Sequence, residues 1–172
     1  MLRIAVMTAV VIVNFLLQSA LFQFIEILGV RPDTALVFIA SYAILRGDVE
    51  GAALGFGAGF LRDAYYGPYI GLHSLLYMLT GFVCGKPFKN FFRENFFLPL
   101  ILTFVCSMLY QSAYYVVNFM FLAEGRFLFY MTNIILPHTV YTLLLTVPVY
   151  SIMYELNNKL ESYEKNGRKT KR

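Results

Sequence analysis

The stretch EGAALGFGAGFLRDAYYGPYIGLHSLL, Glu50–Leu76, decides the fold, because the apolar helix within it carries a glycine at every fourth position. Gly51, Gly55 and Gly59, the glycine ridge, share one edge of that helix, since residues four apart lie one above the other. Association between helices in lipid depends on close backbone approach, which small residues allow. With Asp63, which follows the apolar run, the ridge is predicted to be a packing surface, either for another span of the chain or for a partner's helix.

The composition predicts an integral membrane protein. Hydrophobic residues make up 59% of the 172 residues and charged residues only 14%, and soluble domains are rarely so apolar. Apolar runs close to the ~20 residues that cross a bilayer recur along the chain. We therefore expect an all-α bundle of six transmembrane helices over residues 1–158 and a basic tail over residues 159–172. The predicted spans are Ile4–Leu28, Pro32–Leu45, Glu50–Tyr66, Tyr69–Gly85, Phe97–Leu122 and Thr132–Tyr154.

Spans two and three are short for a membrane. At 1.5 Å per residue they reach only about 20 to 25 Å. We expect them to lie inside the bundle or to thin the bilayer locally, with a re-entrant hairpin as the alternative.

The basic residues predict the orientation, because short cytoplasmic loops carry the excess of Lys and Arg. Arg3 precedes span one, the loop after span four holds Lys86, Lys89 and Arg93, and the tail ends in NGRKTKR. Both termini are therefore predicted to be cytoplasmic in a multi-pass membrane protein. We expect the tail to meet anionic lipid headgroups, and not nucleic acid, because it follows a membrane span directly.

Two spans carry polar stripes on one helical face, which is notable because polar groups within a membrane need partners. Either the two stripes hydrogen-bond each other and fix the helix register, or they line a small-molecule pocket or contact another protein. The sequence leaves these alternatives open. The stripe residues are Asn14 and Gln18 in span one, and Ser107, Gln111, Tyr114 or Tyr115, and Asn118 in span five.

A second polar group is predicted near the outer surface, and we interpret it as ordinary interfacial residues at helix ends. No catalytic or phosphate-binding motif is present, so no enzymatic activity, cofactor or metal is expected. Cys84 and Cys106 fall within spans and are interpreted as buried thiols. The members of the outer polar group are Glu26, Asp33, Arg62, Asp63, His73, Asn133 and His138.

The segment Arg31–Gly85 resembles the central region of the rod shape-determining protein MreD family. That family typically has a proline that opens span two, a charged turn, a segment of the form G-x-x-x-G-F-x-x-G-x-x-x-D, and a Gly-Leu pair that enters span four. The corresponding elements here are Pro32, Gly47–Gly51, Gly51–Asp63 and Gly71–Leu72.

The resemblance implies a non-enzymatic membrane component of the bacterial elongation machinery that works with MreC. Such a complex is expected to connect cytoplasmic MreB filaments indirectly to the glycan polymerase RodA and its partner transpeptidase, and so to position lateral peptidoglycan synthesis. On this sequence, our hypothesis assigns the glycine ridge and Asp63 to the contact with MreC.

The alternative is a substrate-binding subunit of an energy-coupling-factor vitamin transporter. The MreD family is similar to those subunits in having six spans and a comparable fold. In that case Ala5 and Ala9 of span one are expected to dock the coupling protein, and an outer pocket is expected to use His73, Asn133 and His138.

Overall fold

The computed structural model describes residues 2–20, 32–66, 71–86, 97–122 and 131–169. Within these residues the protein contains six α-helices and no strand, so the predicted all-α architecture of six helices is confirmed. A π-helical turn, Met131–Ile135, leads into the last helix. The helices are α1 (Leu2–Ala20), α2 (Thr34–Arg46), α3 (Asp48–Tyr66), α4 (Leu72–Gly85), α5 (Phe97–Leu122) and α6 (Leu136–Lys169).

Two segments in the described part of the chain are long and apolar enough to cross a membrane, Pro99–Val117 and Met131–Ser162. Three further helical segments are apolar but shorter, Val6–Leu16, Thr34–Arg46 and Leu72–Gly85. The separate crossing of each of the six helices stays a prediction.

Helix α2 lies at the centre of the bundle. Of its 13 residues, 11 are buried, and it contacts α1, α3, α4, α5 and α6. A helix that is apolar on all sides is typical of such an enclosed position. The neighbouring helices therefore surround this short second span, and its two ends fix where side chains from the surrounding helices meet.

Helices α3 and α4 form the most extensive helix pair of the described chain, and the glycine ridge lies between them. A Cβ atom on Gly51 would come within 2.9 Å of the Gly81 carbonyl oxygen on α4 and within 2.5 Å of the Ala43 Cβ on α2, and one on Gly59 would come within 2.5 Å of the His73 carbonyl oxygen on α4. A Cβ atom on Gly55 would collide with the backbone of Tyr77. The ridge thus packs against a helix of the same chain.

Helix α6 is longer than the predicted sixth span, which ends at Tyr154. It contains 34 residues, about 51 Å at 1.5 Å per residue, which exceeds a hydrocarbon thickness of about 30 Å. Asn157 and Leu160 are still buried in the bundle. Residues 159–169, which were assigned to the tail, continue the helix.

The α3–α4 contact predicts a sharp difference between two glycines two residues apart. Gly55→Leu is expected to destabilise the bundle by about 1 to 3 kcal/mol or to prevent folding, because the side chain has no space and α4 must move. Gly57→Leu is the matched control, since no atom lies within 4 Å of a Cβ atom at this position. Thermal unfolding of both variants in detergent measures the difference, and equal midpoints would contradict the packing described here.

Candidate functional site: a buried polar network at the start of helix α2

Asp33 is the centre of a buried polar network at the start of α2. Its Oδ1 atom accepts a hydrogen bond from the Leu36 amide at 3.1 Å and so caps the helix. Its Oδ2 atom accepts from Arg62 Nη1 at 2.8 Å and from the Tyr77 hydroxyl at 2.6 Å. The Asp33 side chain is 1% exposed. One carboxylate therefore ties together α2, α3 and α4.

Arg62 and Tyr77 also contact each other directly. Arg62 Nη1 donates to the Tyr77 hydroxyl, and the guanidinium carbon lies 5.6 Å from the centre of the Tyr77 ring. The Arg62 side chain is 28% exposed, so the ion pair with Asp33 is only partly open to its surroundings. A buried pair that keeps both charges and satisfies the remaining lone pairs is the arrangement in which an intramembrane charge is tolerated.

Asp63, the next residue of α3, caps α4 from outside that helix. Its carboxylate accepts the backbone amides of Gly71 at 3.0 Å, His73 at 3.1 Å and Ser74 at 2.9 Å. It also accepts the Ser74 hydroxyl at 2.8 Å and contacts His73 Nδ1 at 2.8 Å. Gly71 has a φ of +102°, a conformation that glycine adopts without strain. Amides that the first turn of a helix leaves unpaired are thus satisfied by a neighbouring helix.

Aromatic rings extend the network along α4 and α5. The rings of Tyr77 and Tyr110 stack with their centres 5.1 Å apart, and the ring of His73 lies 5.1 Å from that of Tyr114. Tyr110 is 4% exposed. This column gives the polar residues an apolar wall on the α5 side.

Helix α6 closes the network with threonines on one face. The Asp33 amide donates to Thr142 Oγ1 at 3.3 Å, and Thr142 also donates to the His138 carbonyl at 2.8 Å. Thr139 donates to the Ile135 carbonyl at 2.8 Å. Because these hydroxyls bond to their own helix, they are tolerated in an apolar environment.

The structure bonds the two predicted polar stripes to different helices. Asn14 of α1 accepts a hydrogen bond from Thr34 of α2 at 2.8 Å, whereas Ser107 of α5 donates to Thr139 of α6 at 3.4 Å. Gln18 and Asn14 both line a cavity beside α3.

The remaining residues of the two stripes also lie in different surroundings. Tyr114 packs against the ring of His73, and Gln111 is half-buried on α5. The side chain of Asn118 and the whole of Glu26 lie outside the described residues, as do the basic loop residues Lys89 and Arg93.

The outer polar group is more closely connected than interfacial residues at separate helix ends would be. Asp33 is bonded to Arg62, and Asp63 is bonded to His73, by the contacts described above. Among the described residues, no group of three His, Cys, Asp or Glu side chains is arranged to hold a metal ion. Asn133 is exposed and bonds to its neighbour Thr132 at 3.1 Å.

The sequence interpretation missed Tyr77, Tyr110 and the α6 threonines as members of the network. One signal was available for α6, because Thr139, Thr142 and Thr146 recur at spacings of three and four, which places them on one helical face. All three are 0% exposed. The tyrosines carried no such signal, because their hydroxyls are recognised as partners only when α2, α3 and α4 are in place.

The model of the family described as rod shape-determining protein MreD matches residues 1–160 of the chain. No curated protein and no solved structure matches the chain. The similarity to energy-coupling-factor subunits therefore stays a prediction.

The ion pair predicts a strong dependence between Arg62 and Asp33. Arg62→Met is expected to destabilise the bundle by about 3 to 5 kcal/mol, because the Asp33 carboxylate stays buried without its partner. Adding Asp33→Asn, which keeps an oxygen to cap Leu36, should recover part of that loss. Chemical unfolding in detergent micelles measures the four-variant cycle, and strictly additive effects would contradict the pairing.

The capping of α4 predicts that Asp63→Ala costs about 3 kcal/mol or more, because three backbone amides lose their acceptor. Asp63→Asn is expected to cost less, since one carbonyl oxygen remains. Asp48→Asn at the start of α3 is the control, because among the described residues the Asp48 side chain bonds only its neighbour's amide, in an exposed position. Hydrogen exchange of the amides over residues 71–74 should accelerate most in Asp63→Ala and stay unchanged in Asp48→Asn. Unchanged exchange would show that other groups cap α4.

Proposed function

Since the chain belongs to the MreD family of rod shape-determining membrane proteins, we propose that it works with MreC to position lateral peptidoglycan synthesis. The match over residues 1–160 of the 172-residue chain carries this proposal. The protein acts by holding other membrane proteins together and carries out no reaction of its own. RodA and its partner transpeptidase join the assembly in the membrane, and MreB filaments connect to it indirectly.

The proposed topology has both termini in the cytoplasm and six crossings. Arg3 and the basic residues after α4 and at the end of α6 support this orientation. The buried polar network then lies at the outer end of the bundle, because α2 and α4 begin there. The end of α6 lies on the cytoplasmic side, where basic residues meet anionic headgroups.

The glycine ridge packs against α4, so we place the proposed contact with MreC on the opposite face of α3. Gly57 is two residues from Gly55, about 200° around the helix, and a Cβ atom there would meet open space. Glycine inside a helix costs about 1 kcal/mol relative to alanine, and close approach of another helix is the usual reason for it in a membrane. We call this side of α3 the Gly57 face, and its exposed residues are Ala53, Phe56, Gly57, Phe60 and Ala64.

The rings of Phe56 and Phe60 support this surface as a contact for a single helix. Their centres lie 6.5 Å apart in a stacked arrangement, and both side chains are 52% exposed. They lie beside the small residues, so this side of α3 is an exposed apolar surface. The single membrane-spanning helix of a bitopic partner such as MreC is the occupant that we propose for it.

Gly57→Leu is expected to lower the recovery of MreC in co-purification from native membranes about tenfold, because the new side chain holds the partner helix away. The bundle itself should remain folded. Val140→Leu on α6 is the control, since it enlarges an apolar side chain at a site that is 48% exposed on another face. Unchanged recovery of MreC with Gly57→Leu would show that the Gly57 face of α3 is not part of the interface.

The shape function is tested separately by complementation. Cells that lack the protein should lose their cylindrical form and regain it with the unmodified chain and with Val140→Leu. Cells that keep a normal cylinder after deletion would overturn the functional proposal, whatever the outcome for the interface.

A further inference from the structure

A cavity opens between α1, α2 and α3 on the side of Arg62 away from α4. Its walls enclose about 20 Å³, and together with the open mouth the space is about 320 Å³. The enclosed part holds one water-sized group. The apolar walls are formed by Val11, Phe15, Ala35, Phe38 and Ala58, and the polar lining by Asn14, Gln18 and Arg62.

The three polar residues bring unused hydrogen-bond donors to this cavity. Arg62 bonds Asp33 and Tyr77 through Nη1, while its Nε and Nη2 atoms have no partner among the described residues. Asn14 uses its carbonyl oxygen to accept from Thr34, which leaves its amide nitrogen unused within the same part of the chain. Gln18 makes no hydrogen bond to any described residue. Donors without partners at the edge of a membrane are costly, so a ligand that accepts hydrogen bonds is favoured here.

The depth of the cavity corresponds to the headgroup region. Arg62 bonds Asp33, the residue that caps the first turn of α2, and Ala35 in the cavity wall is the second residue of that helix. At 1.5 Å per residue, Ala35 is about 3 Å beyond the capping residue. Lipid phosphates lie at this level, just outside the hydrocarbon layer.

We propose that the cavity binds a phosphoryl oxygen of a membrane phospholipid. The guanidinium and amide nitrogens donate to that oxygen, and the rest of the headgroup occupies the open mouth. The adjacent face of α1, where Ile12, Val13 and Leu16 are 44%, 53% and 58% exposed, receives an acyl chain.

The charge balance indicates which lipids fit. Asp33 lies 2.8 Å from Arg62, so the pair is close to neutral and attracts an anion only weakly. Recognition therefore depends on the acceptor oxygen and not on the net charge of the headgroup. Zwitterionic and anionic phospholipids are both expected to bind, whereas a lipid without phosphate is not. This binding does not depend on the proposed contact with MreC, which lies on a different face.

The experiment uses the full chain in detergent and four probes: phosphatidylglycerol, phosphatidylcholine, diacylglycerol and inorganic phosphate. Native mass spectrometry measures the retained probe, and thermal unfolding measures its effect on the protein. Both phospholipids should be retained at least about tenfold more than diacylglycerol, the equivalent of one charge-assisted hydrogen bond. Inorganic phosphate should bind weakly, because it lacks the acyl chain.

Gln18→Leu locates the binding, because it removes a donor that has no structural partner and should leave the bundle folded. Retention of both phospholipids is expected to fall about tenfold in this variant. Val140→Leu on α6 is the control and should keep full retention, because this exposed residue lies outside both the cavity lining and the proposed acyl-chain surface. Equal retention of diacylglycerol, retention that survives Gln18→Leu, or saturation by inorganic phosphate alone would each overturn the proposal, and no retained lipid at all would assign the cavity to water.

Discussion

The backbone contact between α3 and α4 is the constraint on which the rest of the structure depends. Gly51, Gly55 and Gly59 let the two helices approach so closely that a Cβ atom at any of these positions would collide with a neighbouring atom. At that separation α3 delivers two successive charged residues to two different places. Arg62 reaches the start of α2, and Asp63 reaches the start of α4. A larger residue on the ridge would move both side chains away from their partners. The polar contacts of Arg62 and Asp63 therefore depend on the close packing of α3 against α4.

The polar network shows how a membrane bundle carries charge at modest cost. Every oxygen of the Asp33 and Asp63 carboxylates accepts at least one hydrogen bond, and each carboxylate accepts at least one from a neighbouring helix. Breaking one contact leaves a charge or an amide unpaired in a medium that offers no substitute. The network therefore specifies which helices are neighbours.

The sequence predicted the six helices and the packing role of small residues in α3, because both depend on local patterns. Hydrophobic run length and the four-residue spacing of glycines are visible without a structure. It did not predict which polar residues meet, since the partners of Asp33 lie 29 residues away at Arg62, 44 at Tyr77 and 109 at Thr142. The length of α6 was also underestimated, because charged residues after Tyr154 indicated a tail although they are compatible with a continuing helix. A fall in hydrophobicity indicates where the membrane ends, but it does not indicate where the helix ends.

The capping of α4 by a residue of α3 has a consequence for biogenesis. In isolation α4 begins at Gly71 with no acceptor of its own for its first amides, and a nascent segment in that state is poorly suited to leave the translocon alone. Once α3 is beside it, one carboxylate satisfies those amides and the glycines allow full contact. Under the proposed topology the two segments therefore become stable in lipid as a helical hairpin, and the ribosome has produced both of them before the first half of the chain is complete.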